Sequence, residues 1–380
     1  MSSIDPHTAS AVIDPDAVRH NVAAIARLVA PAHVMAVVKG DGYGHGATVC
    51  ARAAREAGAS WLGVATIGEA LHLREAGDTG PILAWLHGPD EDFSAAVADE
   101  IDVTAGSVDQ LSSALMAAAA VEKTARVQLE IDSGMRRAGC APGDWAHLCE
   151  AAAECERSGA VKITGIWSHL ATADDPAHPG TERQAGVFAD AVAEARAAGL
   201  DPEIVHLANS AATLSRPDLR HDAVRLGIAM YGIDPGDAMA KAAGVELRPA
   251  MCLRTQLVAV RSVSEGDGVS YGNTWVAPYD TTLGLVPLGY ADGILRYAGN
   301  RARVQIGNRQ VPIVGRVCMD QFMINLGPDA PDAVGDEVTL FGGPISPTAE
   351  DWADACDTIG YEIVARLGER IPRVLKQDDE

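Results

Sequence analysis

Over roughly its first 230 residues the chain alternates two kinds of segment, and this alternation constrains the fold more than any other feature. One kind is a short apolar, β-branched run: VMAVV (34–38), WLGVA (61–65), PILAWL (81–86), IDVTA (101–105), RVQLEI (126–131), VKITGIW (161–167), EIVHLA (203–208) and DAVRLGIAM (222–230). The other is Ala-rich, dotted with charge and of helical length, as in ATVCARAAREAG, IGEALHLREAG, DQLSSALMAAAAVEK and QAGVFADAVAEARAAG. Apolar residues recur there at spacings of three and four with glycine near segment ends, the pattern of amphipathic helices with C-caps. Near-continuous apolar strands between helices predict an α/β fold with a parallel sheet buried on both faces. Eight such units match a (β/α)8 TIM-like barrel in count and length. An open doubly wound sheet would use the same units, but eight of them favour closure.

After residue 245 the texture changes. MCLRTQLVAVRSV, TTLGLVPL, RARVQI, RQVPIVGRVC, QFMINL and DEVTLF are short alternating runs separated by Gly, Asp, Asn and Pro turns, and no helical period returns until about 348–368. This predicts a C-terminal mainly-β domain. We therefore expect a barrel over 1–240 and a β domain over 241–380, joined near Asp234–Gly244, with the opening residues able to pair with the β domain.

Composition excludes several classes of function. Thirty Lys+Arg against 52 Asp+Glu leave a formal charge of -22, which disfavours nucleic acid and anionic lipid as partners. No apolar stretch approaches the roughly 20 residues of a membrane span. The opening MSSIDPHTASAVIDPDAVRH lacks a basic segment leading into an apolar core, so no secretory signal is expected and the cytoplasm is. The seven cysteines (Cys50, Cys140, Cys149, Cys155, Cys252, Cys318, Cys356) are scattered without a CxxC, which predicts buried reduced thiols, no disulfide framework and no metal site.

The most informative segment is AVVKGDGYGHGA, residues 36–47. A strand is expected to end at Lys39 and lead into a loop with glycines at 40, 42, 44 and 46 around Tyr43 and His45. In a barrel the C-terminal ends of strands form the catalytic rim. The dinucleotide fingerprint is GxGxxG, whereas the spacing here is GxGxGxG and a lysine occupies the strand end, so a nicotinamide site fits poorly. An isolated strand-end lysine is ordinarily a solvated rim charge; a primary amine whose charge is destabilised by burial or cationic neighbours is also a usable nucleophile toward an aldehyde.

The string closely resembles the pyridoxal phosphate lysine segment of alanine racemases, and the resemblance runs over nearly the whole chain. EIDSGMRRAG (130–139) is similar to the segment carrying a substrate-orienting arginine, here Arg137. WSHLATAD (167–174) supplies His169, HLANSAA (206–212) supplies Ser210, and VRLGIAMYG (224–232) supplies Arg225, Gly227 and Ile228. GVSYGNTW (268–275) contains Tyr271, GYADG (289–293) Tyr290, RVCMDQ (316–321) Met319 and IGYE (359–362) Tyr361. Each is expected at a strand end or in a loop.

The resemblance implies pyridoxal 5'-phosphate as cofactor, with Lys39 its attachment point and Tyr43, Ser210, Gly227, Ile228 and Tyr361 its phosphate cradle. It implies Lys39 and Tyr271 as bases on opposite faces of an alanine α-carbon, interconverting L- and D-alanine for peptidoglycan. His169 and Arg225 would support Tyr271, with Arg225 also facing the pyridine nitrogen, while Arg137, the Met319 amide and Tyr290 would bind or gate substrate. Because the second base enters the partner's barrel in this family, a homodimer with composite sites is implied. Two alternatives share the fold: an amino-acid decarboxylase of the same fold type, whose Cys-and-Asp substrate segment is not found, and a racemase with broader specificity that accepts serine. A non-enzymatic pyridoxal phosphate carrier would lack the β domain. The chain departs from the family at Gly40 and Gly42, where alanine is common and glycine is expected only to add backbone freedom. It departs again at Glu130, where many members place a carbamylated lysine; a native carboxylate there would make that modification unnecessary.

Overall fold

The computed structural model describes residues 9–236 and 238–377 and divides into two compact units. One comprises Val18–Gly42 and Ala47–Arg248; the other gathers the described residues through Ala17, the tetrapeptide Tyr43–Gly46, and the chain from Pro249 onward. The division thus falls at Arg248, a short way past the expected 240, and four residues of the glycine-rich loop cluster with the second unit.

In the first unit all eight apolar runs become strands: β2 (His33–Val37), β3 (Trp61–Val64), β4 (Ile82–Ala84), β5 (Asp102–Ala105), β6 (Ala125–Glu130), β7 (Val161–Trp167), β8 (Ile204–His206) and β9 (Ala223–Leu226). They pair in parallel in chain order, and β2 against β9 (His33↔Ala223 to Ala36↔Leu226) closes the barrel. Strands β3, β4 and β5 are buried at every residue, as a sheet covered by helices demands. The helices begin where capping chemistry allows. Thr66 closes a capping box with Glu69 on Ile67–Glu75, and Ser107 accepts the Gln110 amide at the start of Val108–Val121.

The barrel interior is not purely apolar. Asp102, Gln128, Thr164, His206 and Arg225, from five successive strands β5–β9, are all buried. Thr164 bonds to Asp102, and His206 to Gln128, in each case skipping the intervening strand, so these contacts cross the inside of the barrel.

The second unit is built on a nine-stranded sheet. It uses β1 (Ser10–Ile13), β10 (Met251–Gln256), β11 (Ala259–Val263), β14 (Thr281–Val286), β15 (Arg303–Ile306), β16 (Arg309–Val314), β17 (Phe322–Gly327), β18 (Glu337–Phe341) and β19 (Arg373–Leu375). Their order is β11-β14-β17-β16-β15-β18-β10-β1-β19. The strand β1 lies antiparallel to β10 and parallel to β19. A two-stranded ribbon of β12 (Gly268–Val269) and β13 (Trp275–Val276) stands apart from this sheet. Helices Ala349–Cys356 and Gly360–Ala365 fall where the helical period returned. All seven cysteines are free, but only Cys50, Cys140, Cys149 and Cys356 are fully buried; the other three are partly exposed.

Candidate active site

Strand β2 ends at Val37, so Lys39 sits two residues into the loop rather than on the strand. The backbone there is unusual: Gly40, Asp41, Gly42 and Tyr43 have φ of 61°, 51°, 62° and 54°, a left-handed turn. Such values cost an L-residue on the order of 1 kcal/mol each, and glycine nothing. Gly40 and Gly42 therefore do more than add freedom, contrary to the expectation from sequence; they relieve strain in the turn that presents Lys39. Asp41 tolerates its position because Oδ1 accepts the Ala47 amide at 2.7 Å, capping the helix Ala47–Glu56. The Gly40 amide donates to Glu69 Oε1 at 2.7 Å, and Glu69 Oε2 accepts from Ala65 and Thr66, tying the turn to the loop after β3.

Lys39 Nζ lies 5.5 Å from the centroid of the Trp85 ring. Burial, then the charges of Arg137 and Arg225, hold its pKa below that of a free lysine, with Glu69 opposing them. A nucleophilic amine needs such surroundings.

Arg225 is a buried charge held by several hydrogen bonds. It lies within β9, not at a strand end as expected, and is 4% exposed. Its Nη1 reaches His206 Nδ1 at 2.9 Å and the His206 carbonyl at 3.2 Å. Its Nη2 reaches the Ser168 carbonyl at 2.7 Å, the Leu207 carbonyl at 3.1 Å and His169 Nδ1 at 3.2 Å. The guanidinium lies 5.0 Å from the Trp167 ring centroid. Burial pushes its pKa down to about 10, still protonated at neutral pH. Among the described residues its Nη hydrogens find acceptors and Nε–H does not. His169 is held well below the ordinary histidine range by burial and by Arg225, Arg137 and Lys39, so its imidazole is neutral.

Glu130 ends β6 and is 5% exposed. Burial pushes its carboxyl up to about 7, against the pull of Arg225 and Arg137. No hydrogen bond joins Glu130 to Arg137 among the described residues; their coupling is through charge. Arg137 itself is exposed. Ser210 opens the helix Ser210–Ser215, and its Oγ accepts the Gly227 amide at 3.0 Å and faces the Ala229 amide at 3.5 Å. Gly227 and Ile228 start the 3-10 turn Ile228–Tyr231, where the first amides lack partners within the helix.

The remaining candidates belong to the β unit. Tyr43 and Tyr361 stand with ring centroids 6.2 Å apart, Tyr361 inside the helix Gly360–Ala365 and not in a loop as expected. Burial and the neighbouring Tyr361 raise the Tyr43 pKa above that of free phenol. Tyr271 caps the ribbon of β12 and β13 and is 70% exposed. Its predecessor Ser270 has φ 61°, held there by Ser270 Oγ donating to the Arg316 carbonyl at 2.8 Å. A Cβ on Gly315 would stand 2.8 Å from Ser270 Cβ, so the turn depends on that glycine. Tyr290 and Met319 are brought together: the amides of Tyr290 and Ala291 donate to the carbonyls of Cys318 and Met319 at 3.0 and 2.9 Å. Both side chains are exposed, at 43% and 53%.

Residues 13–235 match the family description "Alanine racemase, N-terminal domain", and residues 250–375 match "Alanine racemase, C-terminal domain". The chain belongs to the alanine racemase family. Its fold and enzyme class follow, a barrel-plus-β isomerase. An alanine racemase of Frankia casuarinae is 50% identical over 365 residues, 96% of this chain and 95% of that one. That of Mycolicibacterium smegmatis is 47% identical over 369 residues, 96% and 94% of the two chains. The crystal structure of the alanine racemase from D-cycloserine-producing Streptomyces lavendulae superposes with a TM-score of 0.95 at 46% identity, covering 99% of this chain and 98% of that one.

Sequence reasoning on alanine racemase motifs passed over His206, Trp85 and Trp167, which build the wall around Arg225 and Lys39. A signal existed: each interrupts or ends an apolar run, in EIVHLA, PILAWL and VKITGIW. Among the described residues, no helix is long and apolar enough to cross a membrane.

Proposed function

We propose that this protein interconverts L-alanine and D-alanine with pyridoxal 5'-phosphate, using Lys39 and Tyr271 as bases on opposite faces of the substrate. One observation carries the reading: a lysine whose ammonium form is destabilised by burial, Arg137 and Arg225 shares a site with the fully buried Arg225. The donor set suits the cofactor. Lys39 offers an amine for its aldehyde, Arg225 Nε–H a donor for its ring nitrogen, and Ser210 Oγ with the Gly227 and Ile228 amides a cradle for its phosphate; the family resemblance adds the hydroxyls of Tyr43 and Tyr361 as phosphate donors. When bound, pyridoxal phosphate delocalises the negative charge left at an α-carbon that has lost its proton.

The chain's own residues supply position and proton transfer. Lys39 Nζ removes or returns the α-proton on one face, and Tyr271 Oη does so on the other. Arg225 keeps its proton, so it donates a hydrogen bond without transferring charge to its acceptor, which disfavours decarboxylation and transamination. His169, neutral and accepting from Arg225 at Nδ1, carries its hydrogen on Nε2, where it can donate to a phenolate. Arg137 and the Met319 amide hold the substrate carboxylate, Glu130 supplies the carboxylate that orients Arg137, and Tyr290 limits the side chain to small groups. Tyr271, Tyr290 and Met319 form an exposed patch that serves the barrel of a second copy, giving a homodimer in the cytoplasm whose D-alanine feeds peptidoglycan.

Proton NMR of L-alanine in heavy water, with the purified protein and pyridoxal phosphate, tests the reaction. Loss of the α-proton signal with formation of D-alanine is expected; a yellow protein that leaves the signal intact overturns it. Mixing the inactive variants Lys39→Ala and Tyr271→Phe tests the composite site, since a mixed dimer regains one intact site. Mixed samples that stay inactive after subunit exchange refute it.

A further inference from the structure

Five polar side chains inside the barrel, Asp102, Gln128, Thr164, His206 and Arg225, are linked by one chain of hydrogen bonds, and the proposed reaction uses only its last member. Asp102, the first residue of β5, receives Arg126 Nε on Oδ1 at 2.6 Å; Gln128 Nε2 at 3.0 Å and the Thr164 hydroxyl both donate to Oδ2. Gln128 Oε1 meets His206 Nε2 at 2.7 Å, and His206 Nδ1 meets Arg225 Nη1 at 2.9 Å. Barrel interiors are ordinarily packed with branched apolar side chains. Polar groups buried there cost several kcal/mol unless they find partners, and this chain supplies them.

The direction is fixed at both ends. Burial pushes the Asp102 carboxyl up, but the Arg126 guanidinium on Oδ1 opposes this and favours the carboxylate; a carboxylate only accepts, so Gln128 must turn its amide nitrogen toward Asp102 and its oxygen toward His206. His206 must then carry its hydrogen on Nε2, leaving Nδ1 as an acceptor for a guanidinium that can only donate. Burial and Arg225 keep His206 neutral, so the ring has one hydrogen to place. Arg225 passes the same sense onward, donating from Nη2 to His169 Nδ1.

We propose that Asp102 and Gln128 are positioning residues for Arg225, acting from the opposite end of the barrel by fixing the tautomer of His206. Resting on the proposed function, the relay keeps Nε–H of Arg225 aimed at its acceptor; the tautomer itself is independent of any cofactor. Asp102→Asn keeps the shape and reverses the logic. The new amide must present its oxygen to Arg126 and its NH2 to Gln128, which then flips and offers a donor to His206 Nε2.

Nitrogen-15 NMR of histidine-labelled, cofactor-free protein reads the ring nitrogens directly, with His206 assigned from its loss in His206→Asn. The wild type is expected to show His206 protonated at Nε2 alone, and Asp102→Asn to show a mixture of tautomers. In the loaded enzyme the same variant is expected to lower kcat about tenfold or more while leaving the KM for alanine within about twofold. A wild-type His206 protonated at Nδ1 overturns the relay, as does an Asp102→Asn protein whose tautomer and kcat are unchanged. Should Asp102→Asn not fold, Gln128→Met breaks the chain at its middle while leaving Asp102 on Arg126 and Thr164, and its outcomes are read in the same way. A wild-type protein with the expected tautomer that does not racemise alanine supports the relay and refutes the proposed function instead.

Discussion

Lys39 and Tyr271, the two proposed bases, are held by opposite means. Around Lys39 the barrel unit works through burial and charge: Arg225 is buried, its neighbours are neutral histidines, and burial with nearby cations lowers the pKa of both Lys39 and His169. Around Tyr271 the β unit works through backbone: an exposed side chain stands on a ribbon turn whose Ser270 has a positive φ and whose neighbours approach too closely for any side chain at Gly315. A buried group can have its proton affinity set by the residues packed on it, whereas an exposed one can only be aimed, and its environment must come from elsewhere. In the proposed composite site, that environment at Tyr271 would come from a second copy of the chain.

The contrast can be broken at several points, and the largest effect is expected at the bases themselves. Lys39→Ala should lower kcat for both enantiomers by about 10⁴-fold or more, whereas Tyr271→Phe should lower it by about 10²–10⁴-fold, with loss of α-proton exchange from one enantiomer exceeding that from the other. Equal losses for both enantiomers in Tyr271→Phe would remove the two-base assignment. Gly289→Ala comes next. Its new Cβ would overlap the carbonyls of Cys318 and Met319, backbone atoms that cannot swing aside, so the substitution should destabilise the β unit by about 2–4 kcal/mol in urea unfolding. It should also raise the KM for alanine, because Met319 and Tyr290 move together.

Glu130→Gln sharpens the barrel side through pH. The carboxyl is pushed up from an ordinary 4.5 to about 7, so the folded state holds its proton more tightly than the unfolded chain does. Stability from that proton is complete below about 4.5 and is lost as pH rises through about 7. Cofactor-free Glu130→Gln should therefore lack this decline and exceed the wild type by about 1–3 kcal/mol at pH 8, with the gap closing toward pH 4. A gap that widens on acidification would reverse the sign of the argument. The smallest effect is at Gly40→Ala, where a Cβ meets nothing within 4 Å and only the positive φ resists it. A loss of about 1 kcal/mol is expected in urea unfolding, and none would mean that the left-handed turn relaxes freely.

The sequence was most legible where one physical signal acts alone. Strand β3 was readable as WLGVA because a strand buried on both faces needs only apolar residues, and Val108–Val121 because a surface helix needs only its period. The run MCLRTQLVAVRSV was legible as β but not as two strands, β10 and β11, that lie far apart in sheet order, since nothing local records which strand a residue will pair with. Lys39 and Tyr271 stood out because glycines flank them in a pattern that resembles a family. His206 and Gln128 did not, because a polar residue inside an apolar strand reads as a blemish until its partner is known.

The sequence by itself determined the alternation that makes a barrel, the change to β texture after residue 245, and the residue types available for chemistry, because these depend on periodicity and composition within a few residues. Only the tertiary structure decided that Arg225 lies inside a strand with its Nη hydrogens committed, and that Gly40 and Gly42 stand in a left-handed turn. It also decided that Asp102 and Arg225 are the two ends of one hydrogen-bonded chain. Burial, hydrogen-bond direction and pKa are properties of what surrounds a group, and residues more than a hundred positions apart, such as Asp102 and Arg225, become surroundings for one another only when the barrel closes.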